Sequence, residues 1–351
     1  RGPDAFYAGA VAEAIVDAVK KAPNHAGDVT LADLAGYRTR EREPVCVTYR
    51  KHRICGMGPP SSGGIAVAQV LKLLEPFDLG SRPADAMNGR ALHFIAEAQK
   101  LAFADRDHFI GDPDFVPSPS GLLEARYLDT RRALIDPGTA MARPSPGKLP
   151  QLGSRELGDD ETVEQPGTSH VSIVDGDGNV LAMTTTIEAA FGSRVWAAGF
   201  LLNNELTDFA FRPVDRAGRP LANAVGPGKR PRSSMAPTIV FDEDGKPWAA
   251  LGSPGGSRII LYVVKALVAL IDWNVDAQEA TSLMNFGSRG GAFEIEIDHA
   301  SAVWHGLKMK PYGHRVSPDL LTSGTHIILI RKDGTLEGGA DPRREGVARG
   351  D

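Results

Sequence analysis

The chain has only two cysteines in 351 residues, Cys46 and Cys55, so neither a disulfide scaffold nor a cysteine-built metal site can organise it. A basic surplus is also missing. Lys and Arg number 39 against 44 Asp and Glu, and the net charge of −5 argues against a nucleic-acid binder. No apolar run is long enough to span a bilayer. The most apolar stretch, Ile259 to Trp273, is too short and carries Lys265, which predicts a buried helix. His-Glu-x-x-His and Cys-x-x-Cys are absent, against the common zinc sites. So are a Walker loop, a Gly-x-Gly-x-x-Gly turn after a strand and a Gly-x-Ser-x-Gly elbow, which removes most nucleotide enzymes and common serine hydrolases. Asp175-x-Asp177-x-Asn179 imitates a calcium loop but has Val180 where Gly is needed and Thr186 where Glu is needed, so it reads as a hairpin turn. Arg1-Gly2-Pro3-Asp4 shows no initiator Met and no signal-peptide pattern, and leads straight into a helical pattern, as expected of part of a longer chain.

With 42% hydrophobic and 24% charged residues, the composition is that of a globular protein. Glycine (39) and proline (25) make up about 18% of the chain against a usual ~12%, which predicts many tight turns. Apolar spacing from Phe6 to Val19 predicts a helix ended by Pro23, and Thr30-Leu31-Ala32-Asp33 resembles a capping box. Val45–Tyr49 and Arg53–Met57 read as a hairpin, then a loop at Pro59-Pro60-Ser61-Ser62-Gly63-Gly64 feeds a helix. A long amphipathic helix follows, with Met87, Leu92, Ile95, Ala98, Leu101 and Ala102 on one face.

From about 112 to 166 the texture changes. Prolines 113, 117, 119, 137, 144, 146, 150 and 166 and the acids Asp159, Asp160, Glu161 and Glu164 predict a poorly packed, exposed linker, with at most one helix near Leu122–Leu134. Beyond it strands dominate. Ser169–Asp175 and Val180–Ile187 flank a strong hairpin turn, and further strand pairs flank Asp242-Glu243-Asp244-Gly245 and Lys332-Asp333-Gly334. Helices are expected at Ser257–Asp272 and Ala277–Asn285. Together this predicts an α+β fold with stacked sheets and helices outside.

Four groups of small hydroxyl residues, glycines and acids fall at strand ends or loops: Gly167-Thr168-Ser169-His170, Thr184–Glu188, Asn203–Asp208, and Arg232-Ser233-Ser234 with Gly252–Arg258. A Thr hydroxyl is a weak nucleophile. Cutting before Thr168 would put a free α-amine beside it, with a reference pKa of about 7.7–8.0, suited to a general base. Gly255 and Gly256 offer adjacent backbone N–H groups that suit an oxyanion hole. Singly, each feature has an ordinary role: strand threonines, a Gly-Gly turn, loop serines and solvated acids.

Together they resemble the γ-glutamyltranspeptidases of the N-terminal-nucleophile hydrolase superfamily, over essentially the whole chain. The resemblance rests on Pro59–Gly64, Ala104-Asp105-Arg106 with Gly111-Asp112-Pro113, Thr168-Ser169-His170, Leu202-Asn203-Asn204, Asn223–Pro227, Lys229–Met235, Gly252–Ile259 and Ala340-Asp341-Pro342-Arg343. It implies a four-layer αββα sandwich, here lacking its N-terminal part. It further implies a precursor cut between Gly167 and Thr168 into a large-subunit region (1–167) and a small-subunit region (168–351) that share one sandwich domain. Thr168 is then the nucleophile, Thr186 its hydrogen-bond partner, and Gly255 and Gly256 the oxyanion-hole amides. Glu205 and Asp208 match positions that hold the donor's α-amino group, and Ser233 and Ser234 match those around its α-carboxylate. The implied reaction is hydrolysis or transfer of γ-glutamyl amides such as glutathione, with water, an amino acid or a peptide as acceptor and no cofactor or metal.

Several positions depart from the family pattern. Glu188 stands where well-known bacterial members have Asn, and Glu205 where some have Gln; with Asp208 they predict a pocket that favours a ligand ammonium. The resemblance implies a carboxylate-clamping Arg upstream of residue 1, so it assigns that role to no residue here. Phe209–Pro231 is shorter than the lid-bearing loop of some members, which predicts an open pocket for bulkier donors. The alternatives are a cephalosporin or glutaryl acylase on the same scaffold, or an unprocessed relative that only binds acidic amino acids or peptides. Family members are both exported and cytoplasmic, which leaves the compartment open. Cys46 and Cys55 either face each other across their hairpin or are two separate thiols.

Overall fold

Burial along the strand Pro247–Gly252 shows how the layers are arranged. Ala249 and Leu251 belong to the main hydrophobic core, with the helices Gly63–Leu74, Gly89–Phe109 and Ile259–Ile271. Gly252 faces the other way, where a Cβ would lie 2.3 Å from the His170 ring. Since side chains alternate along a strand, helices cover one side of this sheet and the hairpin bearing His170 covers the other. The computed structural model describes residues 2, 4–117, 120–149, 156–162, 164 and 167–350. Arg1, Pro3, Pro119, Pro150 and Pro166, used above, lie outside the described residues.

The central sheet has six antiparallel strands in the order Val45–Tyr49, His52–Gly56, Thr238–Phe241, Pro247–Gly252, His326–Ile330 and Leu336–Ala340. It therefore mixes strands from both sides of Gly167. The second sheet layer is the hairpin of Thr168–Val174 with Val180–Thr186, packed on three of those strands. Its outward face carries the half-exposed Ile173, Leu181 and Met183, and among the described residues no helix packs extensively on it. The α+β sandwich is thus present as helices, sheet and hairpin.

The helix Ile259–Ile271 is apolar on every side and almost wholly buried. Lys265 is accommodated because its ammonium donates to the Leu283 carbonyl and to Asn285 Oδ1, both at 2.8 Å; burial and the nearby Arg343 push its pKa down to about 7. Thr30 and Asp33 form the expected capping box. Cys46 and Cys55 are directly opposite in register and joined by a disulfide, which settles the alternative left open by the sequence.

The exposed linker is a misreading. Leu122, Tyr127, Leu149 and Leu157 are buried in a second apolar cluster with Ile65, Phe109 and Ile110, while Leu128 and Ile135 join the main core. Asp160 and Glu164 are buried as well. The reason is ion pairing: a run of acids reads as solvated only until its arginine partners, far away in sequence, are known. The helix Ala302–Met309 and the small sheet of Phe286–Gly287, Phe293–Glu296 and Val316–Asp319 were not anticipated.

Leu267 is fully buried in the helix Ile259–Ile271. Leu267→Ala should cost about 2–5 kcal/mol, from lost burial plus the cavity left behind. Denaturant unfolding measures it, and a loss under about 1 kcal/mol would mean that the site is loosely packed.

Candidate active site

Thr168 is the first residue of its strand and lies opposite Thr186, so their side chains share the inward face of the hairpin. The Thr168 hydroxyl donates to Thr186 Oγ1 at 3.2 Å, and Thr186 Oγ1 donates to the Gly167 carbonyl at 3.3 Å. The Glu188 amide donates to Thr186 Oγ1 at 2.8 Å, fixing that hydroxyl from a third side. Gly167 fits here because it has no side chain: a Cβ would lie 2.0 Å from the Glu188 carbonyl oxygen. From the far side, Arg344 donates to the Thr168 carbonyl at 3.1 Å.

Thr168 and Thr186 line one pocket with Glu164, Glu188, Asp208, Ser233, Ser234, Met235, Gly256 and Ile259. The Ser233–Met235 wall is held by the Pro59–Gly64 loop. The Ser62 amide and hydroxyl both donate to the Ser233 carbonyl at 2.7 Å, and the Ser61 hydroxyl donates to the Met235 carbonyl at 2.5 Å. Gly255 and Gly256 have φ of 143° and 58°, conformations that favour glycine, and they turn the chain into the helix that begins at Ile259. Gly256 borders the pocket directly and Gly255 precedes it.

Of the three acids matched to the donor's ammonium side, Glu188 and Asp208 line the pocket and Glu205 does not. Glu205 and Asp208 bound a single 3-10 turn, and Glu188 sits at φ 71° with its carboxylate accepting from Asn204. Burial, then the charges of Glu164, Glu205 and Glu188, push Asp208 up to about 8. Burial, then Glu188 and Glu164, push Glu205 up to about 7. Asp208 Oδ1 and Glu205 Oε1 are buried without a hydrogen-bond partner among the described residues. Such a pair of oxygens suits an incoming ammonium.

Sequence reasoning missed the other half of the site. Arg106, on the helix Gly89–Phe109, is 3% exposed in its side chain. It donates to Ser62 Oγ at 2.9 Å, Asp107 Oδ1 at 2.6 Å and Ser234 Oγ at 2.6 Å, and pairs with Glu164. The Ser234 hydroxyl donates to Glu164 Oε2 at 2.5 Å. Arg232, equally buried, pairs with Asp160 at 3.1 Å. The Ala104-Asp105-Arg106 motif is the available signal for this arginine, whereas nothing local sets Glu164 apart from the acidic run around it. Away from the pocket, His93, Glu97 and His314 cluster in the core. There the imidazoles bond each other at 2.9 Å and Lys100 donates to Glu97 at 2.7 Å, while His314 Nδ1 is buried without a partner among the described residues.

The sequence profile of the family described as Gamma-glutamyltranspeptidase matches residues 1–350. The glutathione hydrolase proenzyme of Escherichia coli (strain K12) is 39% identical over 97% of this chain and 58% of its own length. The acylase ACY 1 proenzyme of Pseudomonas sp. (strain SE83) is 37% identical over 99% of this chain and 58% of its own. The solved cephalosporin acylase from Bacillus halodurans matches with a TM-score of 0.81 at 25% identity, covering 98% of this chain and 59% of that one. The chain belongs to the γ-glutamyltranspeptidase family. It spans 58% of the length of these two curated relatives.

Asp208 and Glu205 hold protons in the folded chain at pH values where the unfolded chain has released them. Their contribution to stability is therefore full below about pH 4 and lost as pH rises through 7 to 8. Asp208→Asn should flatten the fall in melting temperature across that window. An unchanged slope would show that Asp208 is already ionised in the fold.

Proposed function

We propose that the mature protein hydrolyses or transfers γ-glutamyl groups from amides such as glutathione, through an acyl-enzyme on Thr168. Self-cleavage at Gly167–Thr168 makes that residue available. The observation that carries this reading is the hydroxyl chain from Thr168 through Thr186 to the Gly167 carbonyl, at 3.2 and 3.3 Å. It supports the reading because attack on this bond needs a hydroxyl, a proton acceptor and a carbonyl within reach of one another.

In the first step Thr168 Oγ1 attacks the Gly167 carbonyl carbon, passing its proton to Thr186 while Thr186 donates its own to the carbonyl oxygen. The Gly167–Thr168 C–N bond then breaks as that proton moves to the nitrogen, leaving an ester on Thr168 and a free Thr168 amine. Water then hydrolyses the ester and gives Gly167 a carboxylate. In turnover the amine accepts the hydroxyl proton as Thr168 attacks a γ-amide, and the Gly255 and Gly256 amides hold the oxyanion. The donor's leaving amine departs with that proton, and water or an acceptor amine releases the acyl group. Asp208, with Glu205 and Glu188, receives the donor's α-ammonium, and Ser233 and Ser234 receive its α-carboxylate. The two pieces stay together as a heterodimer, because Gly63–Leu74 and Gly89–Phe109 share a core with Ile259–Ile271.

Relatives named as acylases make the donor side chain the variable of interest. A glutaryl group lacks the ammonium that would satisfy Asp208 Oδ1, and this supports the γ-glutamyl donor. Side-by-side assays of γ-glutamyl and glutaryl anilides should favour the first by about tenfold or more; cleavage of the glutaryl compound alone would overturn the choice.

Intact mass and N-terminal sequencing of the incubated protein should give two pieces, the smaller beginning at Thr168. Thr168→Ala should remain one chain without turnover, since one hydroxyl makes both attacks. Self-cleavage persisting in that variant would refute the shared nucleophile.

A further inference from the structure

Glu164 plays no part in the chemistry above, yet its side chain is 5% exposed and lines the same pocket as Thr168. A buried carboxylate is costly unless paired, and this one is paired with Arg106 and with the Ser234 hydroxyl at 2.5 Å. Arg232 Nε lies 3.9 Å away and makes no hydrogen bond among the described residues. Burial opposes ionisation, but the two guanidinium groups hold Glu164 below the usual carboxylate range. A guanidinium and a serine hydroxyl converging on one carboxylate form a site built for that group. Ser234 is also one of the two serines assigned above to the donor's carboxylate.

The position of Glu164 in the chain gives the contact its meaning. It lies three residues before Gly167, on the piece that loses its link to Thr168. In the uncut chain it is anchored on both sides, by Asp160 on Arg232 and by Gly167 against Thr186. After the cut only the Asp160 side remains. We propose that Glu164 is a tethered stand-in for the ligand carboxylate: it fills the Arg106–Ser234 cradle while the chain is uncut, helps to seat Gly167 at Thr186, and yields the cradle to the donor once the bond is cut. The same cradle then serves maturation first and recognition afterwards. This rests on the self-cleaving γ-glutamyl reading above. It differs from a permanent counter-ion role, in which Glu164 stays on Arg106 throughout.

The test compares L-glutamate binding by calorimetry to uncut full-length Thr168→Ala and to Thr168→Ala/Glu164→Ala, with melting curves confirming that both are folded. Emptying the cradle should tighten glutamate binding by about tenfold or more, because an occupied site lowers apparent affinity. Adding Ser234→Ala should remove the gain. Equal affinity in the two uncut variants, where the self-cleaved native protein binds well, would overturn the stand-in. Self-cleavage rates give a second readout that needs no ligand. Glu164→Gln should slow the cut about tenfold and Glu164→Asp should restore part of it, a dependence on charge and reach. If the native protein cuts itself and turns over γ-glutamyl donors while the Glu164 variants match it in both measurements, only the stand-in fails. A native chain that stays uncut, with glutamate bound by no variant, would overturn the functional reading and this proposal together.

Discussion

A guanidinium shut away from water has to be satisfied by its neighbours, and the pocket is arranged around satisfying Arg106. Its donors reach the Pro59–Gly64 loop through Ser62, the 233–235 stretch through Ser234 and the residues before Thr168 through Glu164. Arg232 ties Asp160 to the same place. Three stretches far apart in sequence are thereby fixed to the end of one helix, Gly89–Phe109. Removing a partner would leave a buried donor unsatisfied or weaken the compensation of a buried charge that Asp107 and Glu164 share. The serines of the 233–235 wall owe their positions to these polar contacts more than to apolar packing.

The pocket separates its carboxyl groups by surroundings. Glu164 is kept anionic by two arginines, whereas Asp208 and Glu205 face burial and like charge that Arg106 offsets only in part, and only at Asp208. One side of the pocket is therefore a carboxylate already neutralised by Arg106, and the other a pair of acids that need a positive charge to ionise.

Much of this was legible in the sequence. The hairpin turn at Asp175–Asn179, the buried helix through Lys265 and the capping box at Thr30 follow from local rules, and the structure has all three. Thr168, Thr186, Asp208, Ser233, Ser234 and Gly256, singled out by residue type and motif, meet in one pocket. What local reasoning could not supply was long-range pairing. Asp160 and Glu164 look solvent-seeking until Arg232 and Arg106 are brought to them, across 72 and 58 residues respectively. The short strands Phe286–Gly287 and Phe293–Glu296 gave too few residues for a period to show.

Newly made chain ends are ordinarily the least ordered parts of a protein. The end proposed here would not be, because Thr168 already belongs to a seven-residue strand paired along its whole length with Val180–Thr186. Its carbonyl is gripped by Arg344 and its side chain by Thr186. Breaking the bond before it removes no ladder hydrogen bond from within the hairpin and asks no strand to move. The amine so exposed inherits its position from a sheet that folded beforehand, so its placement carries little additional entropic cost. On that proposal, accuracy at the reacting centre would be settled during folding, and the cut would only uncover it.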